Sequence, residues 1–122
     1  MGEIYFDHAS TTKIDAKVLD AMMPYLKDNY GNASSLYTLG QSARDAIEKS
    51  RKEIADIIEC SPEEIIFTSG GSESDSLAIV GYALANKSKG NHIITSVFEH
   101  PAVLNACRYL EKQGFSCILY TS

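Results

Sequence analysis

Basic charge is in short supply in this sequence. Lys and Arg total 11 against 16 Asp and Glu, a formal net charge of −5, and the basic residues cluster nowhere. That argues against a nucleic-acid surface, which neutralises phosphates with gathered cations. Long apolar runs are missing too; none approaches the roughly 20 residues that a membrane-spanning helix needs, so no membrane partner is expected. The amino terminus lacks the pattern of a secretory signal, and the expected location is cytoplasmic. Cysteine is scarce. Cys60, Cys107 and Cys117 have neither metal-ligand spacing nor an even-numbered disulfide framework, so free thiols in a reducing compartment and no metal site are expected. The fingerprints G-x-G-x-x-G and G-K-[ST] are absent, which sets aside dinucleotide and P-loop nucleotide sites. Internal repeats and low-complexity linkers are absent as well.

What remains is an ordinary globular balance. The 122 residues are 44% hydrophobic and 22% charged, enough for one core. Ile4-Tyr5-Phe6 is a short apolar run, followed by a turn, Asp7 to Thr12, whose hydroxyls can cap backbone groups. Asp15 can cap a helix over 16–27 with Val18, Leu19, Met22, Met23 and Leu26 as its apolar stripe, and Pro24 should kink it. Asn29 to Ser35 reads as a loop. Thr38 and Gln41 make a capping box for a long helix to about Glu59, with Ala43, Ala46, Ile47, Ile54, Ile57 and Ile58 buried and Arg44, Lys49, Arg51, Lys52 and Glu53 solvated. Ser61-Pro62 breaks that pattern.

The stretch Ile65 to Asp75 carries the most chemistry. Ile65 to Phe67 reads as a short buried strand, Gly70-Gly71 as a turn that permits positive φ and close approach of a ligand, and Ser72 as the N-cap of a helix. Such a helix start directs unpaired N–H groups and a positive dipole end at one spot, which suits a phosphate. A lone Gly-Gly-Ser turn usually only reverses the chain, so both readings stand. Further on, His92 to Ser96 reads as a strand, Pro101 opens a helix with Val103, Leu104, Cys107 and Leu110 facing its core, Gly114 ends it, and Phe115 to Tyr120 is a third strand. The order strand–helix–strand–helix–strand predicts parallel pairing, with Ser69 to Ser72 and Glu99-His100 on the carboxyl edge where such sheets bind ligands. His100 taken alone reads as a capping or core residue. His8 and His92 read as structural.

Four runs, in order, carry a resemblance. They are Tyr5-Phe6-Asp7-His8-Ala9-Ser10-Thr11-Thr12; Tyr30-Gly31-Asn32-Ala33-Ser34-Ser35; Glu64 to Ser74; and His92 to Ser96 with Glu99-His100-Pro101-Ala102-Val103-Leu104. On these the chain resembles the amino-terminal part of cysteine desulfurases, the pyridoxal-phosphate enzymes of the class V aminotransferase group. The resemblance implies an α/β fold, an incomplete three-layer parallel-sheet large domain of the fold type I transferases. Residues 1–62 would form an N-terminal segment with two helices, and residues 63–122 the first βαβαβ part of the cofactor-binding domain.

It also implies roles. Gly71 and Ser72 would hold the phosphate of pyridoxal 5'-phosphate, and His100 would stack on its ring and assist proton transfer. The parent activity would convert L-cysteine to L-alanine and an enzyme persulfide that serves sulfur transfer and iron–sulfur cluster assembly. Expected partners are a second copy or a complementary carboxyl-terminal chain, and a sulfur-acceptor or scaffold protein. The sequence departs from the pattern at Ser72, where Thr is usual, at Ala33 for Pro and at Ser76 for Asn. The lysine that holds the cofactor and the cysteine that accepts sulfur are expected beyond the end of this chain, which by itself would be inactive. Two alternatives remain open: a non-catalytic truncated or split fragment, and another class V member such as a selenocysteine lyase or an aminotransferase.

Overall fold

A computed structural model describes residues 4–121, as two compact units that divide between Ile65 and Ile66. Residues 1–3 and 122, the two ends of the expected span of 1–122, lie outside the described residues. The expectation of one core gives way to two separate clusters. Ala43 and Ala55 are buried in the first unit, and Ala106, Cys107, Leu110 and Phe115 in the second.

In the first unit, α1 spans Ala16–Lys27, as its spacing predicts. Asp15 Oδ1 accepts the Lys17 N–H at 2.8 Å and Lys27 sits at the negative end of the dipole. Pro24 lies inside the helix, and its carbonyl accepts the N–H groups of both Asp28 and Asn29 at 2.9 Å. The turn at residues 8–10 is closed by the Asp7 carbonyl, which accepts from Ser10 N and Thr11 N, and not by the hydroxyls expected to cap it.

Helix α2 spans Thr38–Ile58. The predicted Thr38–Gln41 capping box does not form. Tyr37 is the N-cap without a side-chain bond, and Gln41 Nε2 instead donates to Leu36 O at 2.9 Å. The predicted buried side is also narrower than its pattern implies. Ala43 and Ala55 are buried, whereas Ile57 and Ile58 are 79% and 59% exposed, because no element among the described residues covers them. Two residues assigned to the solvated face have structural roles. Arg44 Nε donates to Ala33 O at 2.9 Å, and Arg51, half-buried, donates to Ile65 O while pairing with Glu48. They satisfy carbonyls of the loop at residues 29–35 and of the segment after the 3-10 turn Pro62–Glu64. Gly40 is where that loop presses on α2; a Cβ there would lie 2.6 Å from Asn32 O and 2.7 Å from Ser35 O.

In the second unit, α3 (Gly71–Ser76), a π-helical turn (Leu77–Gly81) and α4 (Tyr82–Ala85) follow one another without a break. Strand β1 (His92–Ser96), α5 (Pro101–Lys112) and β2 (Ser116–Tyr120) complete it. The strands pair in parallel with Ile94 opposite Ile118. Gly114 at φ 88° supplies the left-handed residue that ends α5. The strand expected at Ile65 to Phe67 is absent, so the sheet has two strands rather than three. A strand exists through its ladder, and β1 and β2 bond to one another, leaving Ile66 and Phe67 66% and 48% exposed. Helix α5 packs on β2, where Cys107 and Leu110 are buried. Ile94, Ile118 and Tyr120, on the alternate face of the sheet, are exposed.

Two stability changes are expected in urea unfolding. Gly40→Ala should cost about 1–3 kcal/mol through overlap with the Asn32 and Ser35 carbonyls. Glu59→Gly should stabilise by about 1 kcal/mol, because Glu59 holds the left-handed backbone (φ 57°, ψ 46°) at the end of α2.

Candidate functional site

The site is built on the turn that leads into α3. Glu73 reaches back along the chain, and its Oε2 accepts both the N–H and the hydroxyl of Ser69, at 2.6 and 2.7 Å. Ser74 Oγ lies 2.6 Å from Thr68 Oγ1, and both hydroxyls bond Gly70 O. The two Ser69 bonds stabilise the charged carboxylate and hold the Glu73 pKa below its ordinary value. These side chains tie down residues 68–70 from within the helix they introduce.

The helix start differs from the expected one. Its N-cap is Gly70, and Ser72 sits inside the first turn. The Gly70 backbone is extended and Gly71 begins α3, so neither glycine uses positive φ. What they contribute is open space, since a Cβ on either would meet no atom of the chain within 4 Å. The N–H groups of Gly71, Ser72 and Glu73 precede the first helical carbonyl partner; the first bond into the turn is Ser74 N to Gly70 O at 3.1 Å. Because Ser72 is not the cap, its hydroxyl is not committed to the backbone.

His100 caps α5. Its Nδ1 accepts the Ala102 N–H at 3.2 Å, and the imidazole is exposed. The capping reading of this residue is therefore the observed local role, and with Nδ1 as acceptor the neutral ring carries its proton on Nε2. Ser96 Oγ donates to Glu99 Oε1 at 2.9 Å and accepts the Phe98 N–H, which orders the loop before His100. α3 and its π-helical extension pack beside α5. Between them lies an open hollow of about 810 Å³, and both Ser72 and His100 line it. Gly71, the other residue expected at the phosphate, is not among its lining residues. His8 lies in the first unit and His92 at the start of β1, neither among the hollow's lining.

Sequence reasoning missed Glu73 and Tyr109, which also line the hollow. The signal for Glu73 was an acid in the first turn of the helix that follows the two glycines. Tyr109 gives none, because only the packing of α5 beside α3 brings it near. An open hollow flanked by free main-chain donors, a hydroxyl and an imidazole can take an anion together with a flat group. Among the described residues no cluster of three His, Cys, Asp or Glu could hold a metal.

The family model described as aminotransferase class-V matches residues 4–119. Cysteine desulfurase IscS of Methanosarcina thermophila is 50% identical over 112 residues, which are 92% of this chain and 28% of that protein. Cysteine desulfurase IscS of Dictyoglomus turgidum is 51% identical over 113 residues, 93% of this chain and 29% of that protein. Among solved structures, a NifS-like protein superposes with a TM-score of 0.86 at 35% identity, over 95% of this chain and 32% of that one. SspA in complex with cysteine superposes with a TM-score of 0.84 at 41% identity, over 96% of this chain and 34% of that one. The chain thus spans 28–29% of the length of these curated relatives.

Glu73 should titrate below the usual glutamate range, following the direction of its shift. The folded pKa is depressed, so the clamp on Ser69 is fully present above the ordinary glutamate value and is lost only as pH falls through the lower folded value. The Ser69 amide proton, followed by NMR, should report that midpoint, and Glu73→Ala should abolish the titration.

Proposed function

This chain belongs to the aminotransferase class-V family, and from that premise we propose that it is the amino-terminal portion of a pyridoxal-phosphate cysteine desulfurase. The parent activity takes L-cysteine to L-alanine and leaves sulfur on the enzyme. The observation that carries the reading is the shared hollow, with Ser72 on one wall and His100 on the other. The chain's relatives named cysteine desulfurase, and a structural neighbour described in complex with cysteine, support the choice of substrate.

The residues present fit the cofactor. The N–H groups of Gly71 and Ser72 and the Ser72 hydroxyl would hold the phosphate, since no side chain fills the space before Gly70 and Gly71. His100 would lie against the ring, held in place by its Ala102 bond, with Nε2 free to carry a proton. When bound, the cofactor supplies an electron sink for the substrate's α-carbon. Glu73 keeps the cradle in shape through Ser69. On this reading the segment from residue 63 onward is the first part of the cofactor-binding domain, and residues 1–62 precede it.

No lysine is among the residues lining the hollow. We take this chain to contribute the cradle and the imidazole but neither the lysine nor the acceptor cysteine, and to be inactive alone. The parent would act as a cytoplasmic homodimer that passes sulfur to an acceptor or scaffold protein for iron–sulfur cluster assembly. A second reading has a specific observation in its favour. Ile94, Ile118 and Tyr120 expose an apolar sheet face of the kind that a complementary chain would cover, which fits a split or non-catalytic fragment. A selenocysteine lyase or an aminotransferase of the same family would use the same cradle.

Titration of the chain with pyridoxal 5'-phosphate tests the proposal. Binding is expected to be non-covalent and to weaken on removal of the phosphate. Ser72→Ala should weaken it by about 1.5–3 kcal/mol, the worth of a hydrogen bond to a charged group. His100→Ala should change the cofactor's absorbance. Binding indifferent to the phosphate, or one lysine labelled at high occupancy by borohydride, would contradict it.

A further inference from the structure

Two cysteines stand outside the reading above. Cys107 on α5 is buried and Cys117 on β2 is half-buried. Cys117 Sγ donates to Cys107 O at 3.4 Å, which sets the one cysteine against the other. Both cysteines line one small cavity of about 200 Å³, which Arg108 and Leu119 also line. Helix α5 and β2 are packed together, so the pair is held by the core rather than by chance rotation of surface side chains. Cys60 has neither feature; it lies in the first unit, with its thiol against Ser61 O.

We propose that Cys107 and Cys117 are a dithiol that closes to an intrachain disulfide on meeting a small disulfide oxidant such as glutathione disulfide. Cys117, the more accessible, attacks one sulfur of the oxidant as its thiolate and releases one small thiol. Cys107 Sγ then attacks Cys117 Sγ and displaces the second. One S–S bond is broken and one formed, the two cysteines are oxidised by two electrons, and both protons leave on the two small thiols. Burial is the main cause that pushes both thiols up, with the nearby Glu111 carboxylate adding to it, so the reduced pair rests protonated and closes slowly. Closure joins the second half of α5 to β2. Because His100 caps the same helix, the bond fixes the element that carries the imidazole.

The test equilibrates the full chain in mixtures of reduced and oxidised glutathione, with and without concentrated urea, and maps the linkages by mass spectrometry. Expected is a Cys107–Cys117 link in native buffer, with the two thiols disappearing together. Its equilibrium constant should exceed that in urea by about tenfold or more, because the fold already holds Cys117 Sγ against Cys107. An equal or smaller native constant overturns the proposal. So does a stable glutathione adduct on Cys117 that fails to close, or oxidation confined to Cys60. In a Cys60→Ser chain the link should form unchanged, and its loss there would count equally against the pair.

Discussion

Glu73 commits its carboxylate to Ser69, and that bond shapes the candidate site. It anchors Ser69, beside the Thr68 and Ser74 hydroxyls that bond Gly70 O; the chain enters α3 in an extended step at Gly70, and the first three N–H groups of the helix have no helical partner. A side chain at Gly70 or Gly71 would stand in front of them; the two glycines keep that space open. A negative group close to a proposed anion site looks unfavourable at first. Its charge is engaged by two donors from Ser69, and it serves as the fastening that leaves the neighbouring donors available.

The second wall depends on a different bond. His100 accepts from Ala102 and so begins α5, which lies beside α3 and its π-helical extension. One imidazole nitrogen is committed to the helix and the other is free. Structural capping and a chemical role are therefore compatible in this residue, where the sequence presents them as competitors. The π-helical turn at Leu77–Gly81 keeps ordinary helical dihedrals at its ends, so α3 and α4 continue one another while the turn borders the hollow.

Burial is thin in both units. In the first, small residues do the packing, with Ala43 and Ala55 buried and the isoleucines at 57 and 58 left in water. In the second, α5 packs on β2 while Ile94 and Tyr120 remain 73% and 67% exposed on the alternate face of the sheet. Sheets of parallel strands are stable with both faces covered.

Periodicity and capping chemistry by themselves determined where α1 and α5 lie, because Asp15, Pro101 and Gly114 act on their immediate neighbours. The glycine turn and the helix start at Pro101 were legible for the same reason, as both sit at junctions that local signals mark, whereas the roles expected of Ser72 and His100 came only from the resemblance. Tertiary structure decided the rest. Whether Ile65 to Phe67 becomes a strand depends on a partner strand, which no local pattern supplies. Arg51 reads as solvated until a carbonyl fourteen residues away comes within reach. That Ser72 and His100 face one hollow, and that Cys107 meets Cys117, follows from α5 packing against α3 on one side and β2 on the other, a contact between distant segments that spacing along the chain does not encode.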